Sequence, residues 1–192
     1  MLTLSYPLIL GSGSPRRQEI MQNAGFSFSV VVKPTDEAFP EDMLAEEIPV
    51  FLAKQKLSEF GEEFRDKIVI CADTVVIVNG QVLNKPSDER EAKEMLQNLS
   101  GNKHTVVTGV AYRLGLEVFS FSDTCLVDFN KLTDAEITYY IKTCQPMDKA
   151  GAYGIQDFIG MVGVRSLEGS FYTVMGLPIH KVYEHLKSFI SF

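Results

Sequence analysis

The chain is poor in the residues that build redox and metal chemistry, with three cysteines and three histidines among 192 residues. Cys71, Cys125 and Cys144 stand far apart and form no CxxC or metal-ligand spacing, which argues against a disulfide framework and points to a reducing cytoplasm. His104, His180 and His185 show no paired metal spacing, and no serine or cysteine lies in a nucleophile elbow, so covalent catalysis is disfavoured. Positive charge is scarce as well. Eighteen Lys and Arg face 25 Asp and Glu, a net charge of −7, which argues against broad binding to nucleic-acid polymers or membrane surfaces. Any anionic ligand must then be met by a local cluster. No apolar run approaches the roughly 20 residues of a membrane span. The stretch "MLTLSYPLIL" lacks a basic flank and reads as a buried strand rather than a signal peptide. The "NLS" sequon at Asn98 is then a chance match.

What is present describes an ordinary soluble globular protein: 45% hydrophobic and 22% charged residues, with a mean hydropathy of +0.04. The length suits one domain with a sizeable core, or two small lobes around a cleft; a single folding unit over residues 1–192 is the expectation.

The pattern is mixed α/β with several hairpins. "PLILG" (7–11) reads as a short buried strand, followed by a glycine loop and a helix with Ser14 as cap, Pro15 at its first position and Gly25 as its stop. "FSFSVVV" (26–32) reads as a second strand. The segment after it holds six carboxylates between Asp36 and Glu47 and reads as loop. Pro49 opens a helix whose apolar face is Val50, Ala53, Leu57 and Phe60, so Lys54 and Lys56 project elsewhere. "KIVICADTVVIVNGQVLNKP" predicts a buried strand, an acidic break at Asp73, and two short strands about the Asn79-Gly80 turn. A helix capped by Ser87 runs to Gly101, two strands meet at Gly115, and Thr133 with Glu136 makes a capping box for a helix through Cys144. "DKAGAYGIQ" is a glycine-rich loop, "GVRSLEGSFYTVMG" predicts a further hairpin, and a terminal helix starts at Pro178.

Two features stand out chemically. Arg16 and Arg17 occupy the first turn of a helix, where the macrodipole disfavours a cation by roughly 0.3–1 kcal/mol each. A bound anion resolves this, because Gly11, Ser12, Gly13 and Ser14 offer backbone and hydroxyl donors to a phosphate. Solvated arginines, or arginines paired with the acidic segment, are the plainer alternative. The loop is not a dinucleotide fingerprint, since Arg16 stands where the third glycine would be, and no Walker lysine follows. Asp73 could hold a metal or activate water, or be a turn aspartate bonded to local backbone. Lys56 and Lys85 read equally as solvated lysines. Gln156, among glycines, suits recognition of an amide-bearing base edge or a simple turn.

Taken together, "GSGSPRRQEIM", "ADTVVIVNGQVLNKP", "LSGNKHTVVTGV" and "DKAGAYGIQ" resemble, in order and spacing, the Maf family of nucleoside triphosphate pyrophosphatases. The resemblance spans nearly the whole chain. It implies an α/β fold with a mixed elongated sheet, flanking helices and two lobes around a central cleft, similar to the inosine triphosphate pyrophosphatase architecture. It also implies a homodimer in the cytoplasm, a divalent cation (Mg²⁺ or Mn²⁺), and hydrolysis between the α and β phosphates. Position by position, Ser12, Arg16 and Arg17 would hold the triphosphate, and Lys56 and Lys85 would neutralise it. Asp73 would be the proton acceptor, Glu37 the acidic residue of the loop after the first helix, as metal ligand or second base, and Thr74 and Gln156 would face the substrate.

Within that family the 7-methyl-GTP enzymes carry a tryptophan before the arginine pair, a glutamine after the aspartate and a glutamate near the last glycine loop. Here Pro15-Arg16, Asp73-Thr74 and Gln156 resemble the dTTP/UTP subgroup. The resemblance leaves a nucleotide-binding regulator of septum formation and a nucleotidyltransferase as rivals. It does not separate house-cleaning of modified pyrimidine nucleotides from control of normal pools.

Overall fold

A computed structural model describes residues 2–191. In chain order the strands are β1 (Thr3–Leu4), β2 (Leu8–Leu10), β3 (Ser29–Val30), β4 (Ile68–Val78), β5 (Gln81–Leu83), β6 (Lys103–Leu114), β7 (Glu117–Phe129), β8 (Val164–Glu168) and β9 (Ile190–Ser191). The helices are α1 (Pro15–Asn23), α2 (Ile48–Ser58), α3 (Glu89–Leu99), α4 (Asp134–Cys144), α5 (Phe158–Gly163), α6 (Phe171–Met175) and α7 (Ile179–Leu186). The main sheet has the order β3-β2-β4-β6-β7-β8, with β5 hairpinned onto β4, and β1 pairs with β9 apart from it. β2 lies parallel to both β3 and β4, whereas β5 on β4 and β8 on β7 are antiparallel. The protein is thus mixed α/β, a mixed sheet with flanking helices. Among the described residues no helix is long and apolar enough to cross a membrane.

The chain forms two compact units. The first takes the residues up to Asp73, Thr108–Asp123, and those from Gly176 on; the second takes Thr74–Val107 and Thr124–Met175. In the first unit, α2 presents Ala53 and Leu57, and the turn after it Phe60, to Ile9, Val69, Cys71 and Ala111. Burying Leu57 and Phe60 contributes roughly 1.5–3 kcal/mol each, which fixes α2 against the sheet. In the second unit, α3 and α4 bury Met95, Leu96 and Leu99, and Ile137, Tyr140 and Ile141. α4 begins in the full capping box, with Thr133 Oγ1 accepting from the Glu136 N–H and the Glu136 carboxylate accepting from the Thr133 N–H.

Several local expectations change. β4 runs unbroken through Asp73, because a carboxylate in the middle of a buried strand is tolerated when a cation meets it, as described below. The 163–176 stretch is one strand on β7 and then α6, since Val164–Glu168 finds a distant partner instead of folding back on the residues after it. Of residues 26–32 only Ser29–Val30 form a strand, apart from an isolated bridge between Phe26 and Leu2, because β2 offers just three residues to an edge strand. Ser14 stands at the N-cap of α1 without a side-chain cap bond, and α3 is capped by Asp88, whose carboxylate accepts from the Glu91 N–H at 2.8 Å, rather than by Ser87. The Asn79-Gly80 hairpin forms as expected, both residues at positive φ (50° and 75°).

Candidate active site

In the first unit, β2 delivers the glycine loop to the start of α1. A Cβ on Gly11 would lie 2.5 Å from Cys71 Sγ and 3.0 Å from the Phe60 ring, so only glycine lets the loop lie flat on β4. Pressed there, Ser12 is buried, and its hydroxyl accepts from the Ser14 N–H at 3.3 Å and from Arg17 Nη1 at 3.2 Å. Arg17 Nε donates to the Gly176 carbonyl at 2.8 Å, tying the loop to the segment that leads into α7. Burial pulls the Arg17 guanidinium below its ordinary pKa, with Asp73 opposing the shift, yet arginine keeps its charge throughout the working range. The first turn of α1 holds no acidic side chain, and Arg16 is half-buried in it. Two cationic side chains thus gather at the positive end of a helix, a setting that favours a negatively charged group.

The same unit gathers Lys56, Asp73 and Glu37. Lys56 Nζ lies 2.5 Å from Asp73 Oδ1 and 2.8 Å from Glu37 Oε1, so a lysine from α2 is held between a strand carboxylate and a loop carboxylate. Asp73 and Lys56 are mostly buried, at 13% and 17% exposed, whereas Glu37 is 47% exposed. Two carboxylates on one ammonium leave the trio a negative charge in excess, and the oxygens are hard donors of the kind that Mg²⁺ and Mn²⁺ prefer. Among the described residues there is no group of three or more His, Cys, Asp and Glu that could hold a metal. Two carboxylates nonetheless fit Mg²⁺, which is usually held through one or two of them while water and substrate phosphate complete its shell. Beside Asp73 in β4, burial pushes the Cys71 thiol up to about 12, so it stays protonated and is no nucleophile.

In the second unit, Thr74 follows Asp73 in β4 and is half-buried. Lys85 is exposed just after β5. The residue before it, Asn84, accepts through its carbonyl from the Gly151 N–H at 3.1 Å, which joins the Lys85 segment to the glycine-rich loop that carries Gln156. Gln156 Oε1 is buried and has no hydrogen-bond partner among the described residues. An acceptor withdrawn from water and left unmatched is one whose partner a ligand can supply. Asp157, the next residue, faces Lys149 at 3.7 Å.

The structure therefore brings Ser12 to Arg17, and Lys56 to Asp73 and Glu37, in the first unit. Lys85, Thr74 and Gln156 belong to the second. Of the side chains that support the Gln156 loop, Tyr153 and His104 lie within the sequence motifs without a role read from them, and Tyr140 carried no signal, because its link to the loop is a matter of packing rather than spacing.

Comparison with known proteins places these residues in a family. Residues 7–189 match the model of Maf-like proteins. Similar proteins named dTTP/UTP pyrophosphatase include that of Cytophaga hutchinsonii, 43% identical over 184 residues, 96% of this chain and 84% of that protein. That of Phocaeicola vulgatus is 44% identical over 184 residues, 95% of each chain. That of Porphyromonas gingivalis is 44% identical over 192 residues, 96% of this chain and 94% of that one. Among solved structures, the Staphylococcus aureus Ham1 protein is similar with a TM-score of 0.46 at 15% identity, over 64% of this chain and 71% of that chain, too slight a likeness to support a conclusion.

Proposed function

The chain belongs to the family of Maf-like proteins, and on that premise we propose that it is a nucleoside triphosphate pyrophosphatase acting on dTTP and UTP. The observation that carries this reading is the lysine held between Asp73 and Glu37. A mostly buried carboxylate fit to act as general base and a phosphate-neutralising cation meet there with a second, more exposed carboxylate. The names of relatives at 43–44% identity support the substrate class.

Asp73 takes the proton from a water that attacks the α-phosphorus; the bond from that phosphorus to the oxygen bridging to the β-phosphate breaks, and pyrophosphate leaves with the bonding pair. Arg16 and Arg17 with Ser12 receive the phosphates at the start of α1, where helix N–H groups already favour negative charge. Lys56 and Lys85 offset the charge that grows on the departing pyrophosphate. Asp73 and Glu37 are the residues that would hold a divalent cation, Mg²⁺ or Mn²⁺, which when bound supplies Lewis-acid polarisation of the phosphates. Gln156 reads the base, its amide accepting from a pyrimidine N3–H and donating to a neighbouring carbonyl, with Thr74 also on the substrate. The protein is proposed to work on free nucleotides in the cytoplasm as a homodimer, whose mass light scattering reads directly.

The decisive experiment follows pyrophosphate release from dTTP, UTP, CTP, ATP, GTP and 7-methyl-GTP, with Mg²⁺ or Mn²⁺ and with chelator. Release confined to dTTP and UTP and abolished by chelator is the expected result. Nucleotide binding without any release would overturn it in favour of a regulator.

A further inference from the structure

Gln156 occupies the third position of a four-residue turn, closed by the Asp157 N–H donating to the Gly154 carbonyl at 3.0 Å. Both ends of that turn meet a single atom. The Tyr140 hydroxyl accepts from the Gly154 N–H at 3.0 Å and donates to Asp157 Oδ2 at 3.0 Å. The Asp157 carboxylate folds back over the turn so closely that a Cβ on Gly154 would stand 2.4 Å from Oδ2. Lys149 Nζ, 3.7 Å from the same oxygen, holds the carboxylate from its other side.

Tyr140 is itself fully buried on α4, whose start the capping box fixes. Burial and the Asp157 charge push its phenol well above the ordinary range, so the hydroxyl remains protonated and able to donate. The chain just before the turn is pinned too. The Tyr153 hydroxyl and His104 Nε2 are 2.8 Å apart, and the Tyr153 ring lies edge-on to His104 and Phe129 with centroids 5.4 and 5.0 Å away.

We propose that Tyr140 is a positioning residue for base selectivity, its hydroxyl holding the turn so that the unmatched Gln156 Oε1 faces the base in one orientation. This rests on the pyrophosphatase reading with Gln156 as base reader. A side-chain amide distinguishes bases only while its oxygen and nitrogen point in fixed directions, because a rotated amide offers a donor where an acceptor was required. The Tyr140 hydroxyl couples the two turn residues that flank Ile155 and Gln156, and its loss removes a bond from each at once.

The test measures kcat and KM on dTTP, UTP, CTP and ATP for the wild type, Tyr140→Phe, Gln156→Ala and the double variant. Tyr140→Phe is expected to raise KM for dTTP and UTP roughly tenfold with little change in kcat, and to lower the preference for dTTP over CTP by a similar factor. In the Gln156→Ala background the same change should add no further loss of preference. Equal losses on all four nucleotides, or additive effects in the double variant, would overturn the proposal. Should Tyr140→Phe not fold, Asp157→Ala replaces it: it should show the same loss of preference, and Asp157→Asn, which keeps an acceptor for the Tyr140 hydroxyl, should restore it. Failure of that pair to separate also overturns the proposal. A wild type silent on every nucleotide overturns the pyrophosphatase reading and this inference with it. An active wild type with unchanged selectivity in Tyr140→Phe overturns the inference alone.

Discussion

Asp73 and Lys56 show how a residue that defies its surroundings points to chemistry. Strand β4 is otherwise buried almost throughout, and an unpaired carboxylate there would be costly; the ammonium 2.5 Å away makes it tolerable. Replacing Asp73 with Asn keeps the shape and removes the base, so kcat for pyrophosphate release should fall by about 10²–10⁴ while nucleotide binding persists. Full turnover in Asp73→Asn would refute the assignment. Gln156→Glu should lower kcat/KM for dTTP and UTP by roughly 10²-fold or more, because a carboxylate cannot donate to the pyrimidine carbonyl; steady-state kinetics on the two nucleotides checks this. His104 predicts a pH effect on stability. Burial lowers its pKa from 6.5 to about 4, so between those values the unfolded chain takes up a proton that the folded chain refuses. Its contribution is therefore complete above pH 6.5 and is lost as pH falls toward 4, with a slope of up to about 1.4 kcal/mol per pH unit. Chemical denaturation at several pH values should show a shallower dependence over this window in His104→Gln than in the wild type.

At the scale of elements, the starts and turns written in adjacent residues were legible. The Thr133 and Glu136 capping box and the Asn79-Gly80 hairpin formed as the sequence indicated, since each is settled within four residues. Thr133→Ala should destabilise the fold by about 0.5–2 kcal/mol, read as a lower denaturant midpoint at unchanged slope, because the first N–H groups of α4 lose an acceptor. Apart from the Ser14 and Ser87 caps, which are local, the expectations that failed were those in which a distant partner decided. Residues 163–176 alternate like a hairpin, yet β8 pairs with β7 some forty residues earlier in the chain, and the residues after Gly169 turn into α6. The candidate site divides in the same way. The glycine loop and its arginines were legible as a strand, loop and helix, whereas nothing near Tyr140 in the sequence marks it as the support of Gln156.

As a whole the chain divides into two compact units, yet β4, β6 and β7 each supply residues to both. A strand shared by two units cannot be released from one without disturbing its backbone bonds in the other. We therefore propose that residues 1–192 unfold as one cooperative domain. Calorimetry should give a single transition whose calorimetric and van't Hoff enthalpies agree, and two resolved transitions would contradict it.

By itself the sequence determined the mixed α/β class, the capped start of α4, the glycine loop with its arginine pair, and the motifs that identify the family, because these depend on residues adjacent in the chain. Only the tertiary structure decided that Asp73 lies within a strand, since the lysine that neutralises it sits seventeen residues earlier on another element. It alone decided that a tyrosine hydroxyl holds both ends of the Gln156 turn. Packing settles such choices: a buried charge or a buried N–H must find its partner wherever the fold brings one, and no local pattern records where that is.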